Sequence, residues 1–203
     1  MARDHAMSAK KETFAGLDRS VDEFRRWVLS DWKSPTTRAL LAEFFVRCIT
    51  STDSESAEDW NYVDIEWADG TTLEVKCSAY LQPKREGKLV QTPPRFDIGK
   101  KIWAWSNRKG DWLPEPDEPR RWADIYVLCL EKETDPDSYN PLDLSQWEAF
   151  VIPTSRLDEN FPDQKTVSVK RLLQEGFQPV GFDRLGPEIE RIRQTVTANT
   201  AKN

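Results

Sequence analysis

Two stretches of strict alternation stand out in the hydrophobic pattern of the chain. In residues 62–67 the apolar Val63, Ile65 and Trp67 alternate with Asp64 and Glu66. In residues 71–78 Leu73, Val75 and Cys77 alternate with Glu74 and Lys76. A period of two marks a half-buried strand. Ala68-Asp69-Gly70 between them is a turn signal, so the pair reads as an antiparallel hairpin. Folded on its apolar face, the hairpin gathers three carboxylates and one ammonium on the other. Like charges facing across strands destabilise a hairpin, and a divalent cation is the simplest group to offset them. The plainer reading is an ordinary sheet with one wet face. Side chains opposite each other share a face, so Asp64 and Glu74 cooperate only if paired residue numbers sum to an even value. A two-residue loop gives an odd sum. A three-residue loop at 69–71 sets Asp64 opposite Lys76 and Glu66 opposite Glu74, with Asp64 and Glu74 diagonal at roughly 7–8 Å. That loop, or a two-residue loop corrected by a bulge, is expected.

Helical spacing surrounds the hairpin. Ser20 and Glu23 form a capping box ahead of Phe24, Trp27, Val28 and Trp32. Pro35 breaks that helix, and Thr36 is expected to cap a second one over 37–49 with Leu40, Leu41, Phe44, Phe45, Cys48 and Ile49 as its stripe. Glu43 lies at the stripe's border, either as a surface pair with Arg47 or as a carboxylate aimed at the hairpin. Residues 96–105 read as a helix carrying Phe96, Ile98, Ile102 and Trp105. The nearly continuous apolar run 123–130 marks a central strand covered on both faces, and 147–153 a second core strand. Thr154 or Ser155 caps a short helix, a short strand is expected at 165–169, and Ser168 caps a helix over 169–175 that Gly176 stops. A helix at 187–192 ends the pattern. Residues 1–13 read as a disordered tail, 14–195 as one domain and 196–203 as a second tail. The order is that of a mixed α/β sheet domain.

Composition narrows the function. The 203 residues carry a net charge of −6, which argues against a general polycation-like nucleic-acid binder. Residues 84–109, however, hold eight bases against Glu86 and Asp97, a local excess of positive charge directly after the carboxylate hairpin. Within that block Trp103 and Trp105 serve either the core or base stacking. The single histidine, His5, lies in the N-terminal tail, which removes histidine catalysis. Cys48, Cys77 and Cys129 lack zinc spacing and read as reduced, buried thiols of a cytoplasmic protein. No apolar run approaches the roughly 20 residues that cross a bilayer, and no signal-peptide pattern opens the chain.

A helix glutamate (Glu43), a strand aspartate (Asp64) and Glu74-x-Lys76 on the next strand resemble the PD-(D/E)XK nuclease superfamily. Residues 74–82 and 123–127 are similar to an uncharacterised bacterial branch of it. The likeness covers roughly residues 37–153. Two features depart from the pattern: Val63 stands where proline is usual, and no strand is read in 51–59. The resemblance implies a restriction-endonuclease-like mixed β-sheet flanked by helices, with an αβββαβ-type core. It implies a Mg²⁺-dependent nuclease in which Asp64, Glu74, the backbone carbonyl of Val75 and Glu43 ligate the metal, with Mn²⁺ as a substitute. Lys76 would orient or deprotonate the attacking water and stabilise developing charge. Gln82, Lys84, Arg85, Lys100 and Lys101 are expected to touch substrate. The expected activity is endonucleolytic cleavage of DNA rather than RNA, in restriction, repair or defence, with a homodimer compatible. The alternative is a nucleic-acid-binding or assembly module that keeps the fold without catalysis.

Overall fold

The computed structural model describes residues 12–52, 61–84, 87–114 and 116–200. The chain divides into two compact units, 1–32 and 33–203. In the first, α1 (Val21–Val28) starts on the capping box expected from Ser20 and Glu23: Ser20 Oγ accepts from the Glu23 N–H, and the Glu23 carboxylate accepts from the Ser20 N–H. It ends at Val28, before Trp32 is reached. Phe24 of α1 meets Phe14 edge to face and Trp27 at a tilt, each with ring centroids 6.2 Å apart.

The second unit opens with α2 (Pro35–Thr50). Ser34, not Thr36, is the cap, its hydroxyl accepting from the Thr37 N–H at 3.2 Å, and Pro35 takes the first turn, where its missing N–H costs nothing. Among the described residues, nine strands and three α-helices follow the β1–β2 hairpin formed by β1 (Ile65–Glu66) and β2 (Thr72–Ala79). They are β3 (Leu81–Pro83), β4 (Leu89–Gln91), β5 (Arg95–Asp97), β6 (Trp105–Ser106), β7 (Asp111–Trp112), β8 (Ile125–Glu131), β9 (Trp147–Pro153), α3 (Thr154–Asn160), β10 (Thr166–Ser168), α4 (Val169–Gln174), β11 (Val180–Gly181) and α5 (Phe182–Thr200). The principal sheet has the order β1-β2-β8-β9-β11, with β2 and β8 parallel and the other pairs antiparallel. It is a mixed α/β architecture.

Every residue of β8 is buried, as a strand covered on both faces requires. On one face Leu73, Val75, Ile125, Val127 and Ala149 pack against Ala42 and Val46 of α2 and Leu185 and Ile189 of α5. On the other, Tyr126, Leu128, Phe150 and Ile152 pack against Phe96, Ile98, Leu157 and Leu172. Each such large side chain contributes roughly 1.5–3 kcal/mol through removal from water. The face α2 buries is Arg38, Ala42 and Val46, so Leu40 and Phe44 of the expected stripe are exposed. Cys129 is buried and Cys77 half-buried, but Cys48 is exposed, unlike the buried thiol expected there.

The helix expected over 96–105 does not form. Pro93 and Pro94 hold the chain extended on entry, and Phe96 and Ile98 point inward with Asp97 outward between them, a period of two. Asp97 Oδ1 then accepts from the Gly99 N–H at 2.9 Å, a tight turn that ends β5. No α-helix lies between β2 and β8 among the described residues; the segment is built from two-stranded ribbons, β3–β4 and β6–β7 within itself and β5 with β10. At the C-terminus the helix is longer than 187–192: it begins at Phe182, accommodates Pro187 and runs through Thr200, so the expected tail at 196–203 is helical over its first five positions. No helix among the described residues is long and apolar enough to cross a membrane.

Candidate active site

The register that decides the site has the expected parity. Ile65 pairs with Leu73 and Glu66 with Thr72, an even sum. The loop is three residues long, but it is 68–70 rather than 69–71: the Trp67 N–H donates to the Thr71 carbonyl, and the Gly70 N–H to the Trp67 carbonyl. Gly70 takes φ +82°, which only glycine adopts cheaply. This slides the strands by one pair relative to expectation. Glu66 therefore faces Thr72 instead of Glu74, and Asp64 falls level with Glu74.

Asp64 sits just before β1, where the chain bends. Its N–H donates to the Leu73 carbonyl, and its Oδ2 accepts from the Val75 N–H at the sheet edge. The bend also sends Val63 to the opposite core from Ile65 and Trp67. Burial, and then the Glu74 carboxylate beside it, push the Asp64 carboxyl up to about 7, against the pull of Lys76 and the Val75 N–H; Glu43 adds a smaller upward push. Asp64 thus feels the charge of Glu74 and, more weakly, that of Glu43.

Glu74 is buried on β2, and Lys76 Nζ donates to its Oε1. Burial would lower the lysine, but Glu74 and then Asp64 and Asp97 outweigh it and leave its pKa raised. A lysine so held stays protonated at neutral pH. It can stabilise charge, but it is a poor proton acceptor. Glu43 Oε1 accepts from Arg47 Nε at 3.0 Å, and Arg47 Nη2 donates to the Asp64 carbonyl. Both readings of Glu43 hold in part: it pairs with Arg47 at i,i+4, and that pair is largely buried against the hairpin. Glu66 pairs with Arg108 at 2.6 Å and accepts from the Tyr62 hydroxyl at 3.4 Å.

Val75 enters through its backbone N–H, its side chain going into the core. Gln82 lies elsewhere, beyond the far end of β2, donating to the Ala79 carbonyl and accepting from Arg38, each at 3.0 Å. Lys84 is exposed on the β3–β4 ribbon, Lys100 is exposed after Gly99, and Arg85 lies outside the described residues. Lys101 does approach the site: with Tyr62, Arg120 and Trp122 it lines a recess of about 10 Å³ onto which Glu74 opens, room for about one water. Asp64 opens onto a different, larger cavity of about 520 Å³ with Arg47, Asn61, Asn107 and Arg108.

Sequence reasoning does not assign Arg47, Asp97, Tyr62 or Trp122 to the site; Arg108 belongs to the basic block at 84–109 from which phosphate contacts are expected. Arg47 leaves a signal through its i,i+4 spacing from Glu43; Asp97 arrives on β5, and Tyr62 and Trp122 on the segments leading into β1 and β8, whose placement no local pattern reveals. As a cation site, Asp64 and Glu74 offer hard oxygen donors, and the burial and carboxylate repulsion that together lift Asp64 are what a bound dication offsets. Two carboxylates suffice for Mg²⁺ or Mn²⁺ that keep several waters. No fuller set exists among the described residues, where no three His, Cys, Asp or Glu are grouped to hold a metal. Comparison with family models, curated proteins and solved structures finds no match to this chain.

Proposed function

We propose that the 33–203 unit is a divalent-cation-dependent phosphodiester hydrolase acting on DNA, of the restriction-endonuclease-like type its residues resemble. The observation that carries this is the convergence of Asp64, Glu74 and Lys76, with Asp64 raised to about 7 by burial and by its neighbouring carboxylate. Asp64 and Glu74 would hold the cation, Mg²⁺ or Mn²⁺. When bound, it supplies Lewis-acid stabilisation of phosphoryl oxygens and a lowered pKa for water. Arg47 keeps the Asp64 backbone fixed against α2. Lys76, kept protonated by Glu74, neutralises charge that develops on the phosphate and does not act as the base. The bases Arg47, Arg108 and Lys101 around the two openings would contact neighbouring phosphates.

Purified protein incubated with plasmid, linear and single-stranded DNA, and with RNA, tests this in Mg²⁺ and Mn²⁺. Metal-dependent cleavage that Asp64→Ala and Lys76→Ala each abolish is expected. Cleavage no greater than that of the two variants overturns the proposal. A second reading, a binding or assembly module without catalysis, is favoured by one observation: Lys76 already occupies Glu74, and no third ligand joins the pair among the described residues. It predicts nucleic-acid binding indifferent to metal and to both substitutions.

A further inference from the structure

Beside the Asp64 cavity lies a second one of about 470 Å³, which shares Glu66 and Arg108 with it. Its volume is that of a small-ligand pocket. Two aromatic rings, Tyr62 and Trp122, stand edge to face at 6.4 Å in its wall, and the Arg120 guanidinium lies 4.7 Å over the Trp122 indole. The Trp122 ring is fixed by its Nε1–H, which donates to the Lys101 carbonyl at 3.0 Å. Arg108 and Lys109, from the tip of the β6–β7 hairpin, supply cations at the rim, while Glu66 and Asp124 supply acceptors. Tyr62 and Trp122 also wall the recess at Glu74. The cavity therefore shares walls with the two spaces onto which Asp64 and Glu74 open, without being lined by either carboxylate.

We propose that this cavity holds one unpaired nucleotide, its base against Tyr62 and Trp122 and its phosphate toward Arg108 and Lys109, so that the chain engages single-stranded polynucleotide in preference to intact duplex. The inference rests on the hydrolase reading only for placing the reacting phosphate next to the cavity. A base inside a duplex is stacked and paired and cannot enter such a pocket without being extruded, which costs a few kcal/mol; an unpaired base enters without that cost. The acidity of the chain points the same way. With a net charge of −6, long-range attraction to phosphates is weak, so local stacking has to carry more of the binding. Stacking on an aromatic ring tolerates any base, so the pocket selects for an unpaired strand rather than for a sequence.

The test is fluorescence anisotropy of a labelled dodecamer of thymidine and of a duplex of equal length, with EDTA present so that cleavage cannot intervene. The single strand is expected to bind more tightly than the duplex. Trp122→Ala should weaken the single strand about tenfold and leave the duplex unchanged, while Trp122→Phe, which keeps a ring, should retain most of the affinity. Equal losses on both substrates, or none on either, overturn the pocket. As a check on the unaltered protein, a strand carrying 5-iodouracil is photo-crosslinked and the peptide mapped. Attachment at Tyr62 or Trp122 supports the proposal; attachment confined to the exposed Trp103 and Trp112 overturns it. Binding that depends on Trp122 in a protein that never cleaves leaves the pocket standing and removes the hydrolase reading. Metal-dependent cleavage with strand binding blind to Trp122 does the reverse.

Discussion

Arg47 donates from Nε to Glu43 and from Nη2 to the Asp64 carbonyl, so one guanidinium ties α2 to the bend before β1. Both ends of that tie are largely buried. Arg47→Ala removes the two bonds and leaves the Glu43 carboxylate without its partner, a change expected to cost about 2 kcal/mol. Calorimetry should show Tm lower by roughly 4–8 °C. Adding Glu43→Gln to that variant should recover part of the loss, because the stranded charge is gone. A loss under about 0.5 kcal/mol would mean that the tie does not hold the bend. Glu131 allows a second test at this scale. It is fully buried, its Oε1 accepts from the Glu133 N–H at 3.2 Å, and its Oε2 has no partner among the described residues. Burial pushes its carboxyl up to about 7 from an ordinary value of 4.5, against the Glu133 N–H, Arg38 and Tyr139, with the Glu133 charge adding to the rise. The fold therefore favours the protonated form. That contribution is whole below about pH 4.5 and is lost as pH climbs to about 7, to the extent of about 3 kcal/mol. The stability difference between wild type and Glu131→Gln, followed by thermal unfolding from pH 4 to 8, should shift in favour of the variant over that window. A difference independent of pH would refute the assignment.

Among the elements, those governed by one local rule were readable from the sequence. The strand at 147–153, the Ser20–Glu23 box and the Ser168 cap with Gly176 at φ +83° all stand where their residues predict. The parity of the hairpin was readable as well, and parity alone brings Asp64, Glu74 and Lys76 together. Its register by a single pair was not, because Ala68-Asp69-Gly70-Thr71 offers two three-residue loops of the same parity. Residues 96–105 suit either element by spacing, because Phe96 and Ile98 satisfy a period of two as readily as helical spacing does, and Pro93, Pro94 and Gly99 decide in favour of the strand. The buried stripe of α2 was out of reach for another reason. It includes Arg38, whose partners Gln82 and Tyr139 lie 44 and 101 residues away. The cap of α2 tests the corrected reading of that helix. Ser34→Ala loses the bond to the Thr37 N–H and should cost about 1 kcal/mol, or roughly 2–4 °C in Tm. Thr36→Ala should be nearly silent. The opposite ranking would restore Thr36 as the cap.

At the scale of the whole sheet, β2 runs between β1 and β8 with an apolar core on each face, yet it carries Glu74 and Lys76 at the end next to Asp64. Two neighbouring carboxylates at the edge of so well-packed a sheet oppose folding, and their presence makes sense if something else benefits. Asp64→Asn separates the two effects. The amide oxygen can still accept from the Val75 N–H, so the turn is kept while the charge is removed. Without metal at pH 8, the variant should be more stable than wild type by on the order of 2 kcal/mol. That is about half of what the rise of Asp64 to about 7 would convert to, discounted for a side chain that is only half-buried. The gain should shrink toward zero near pH 4, where wild-type Asp64 is protonated in the fold and close to half protonated in the unfolded chain. Millimolar Mg²⁺ should reverse the order at pH 8, because a cation that binds only the folded state adds stability in proportion to the logarithm of its concentration over Kd. Wild type should gain from it and Asp64→Asn should not. Unfolding curves of the two proteins, at two pH values with and without Mg²⁺, measure all of this. If Asp64→Asn were the less stable protein in metal-free buffer at pH 8, Asp64 would be an anchor of the fold rather than a charge held against it, and the case for a cation between Asp64 and Glu74 would fall with it.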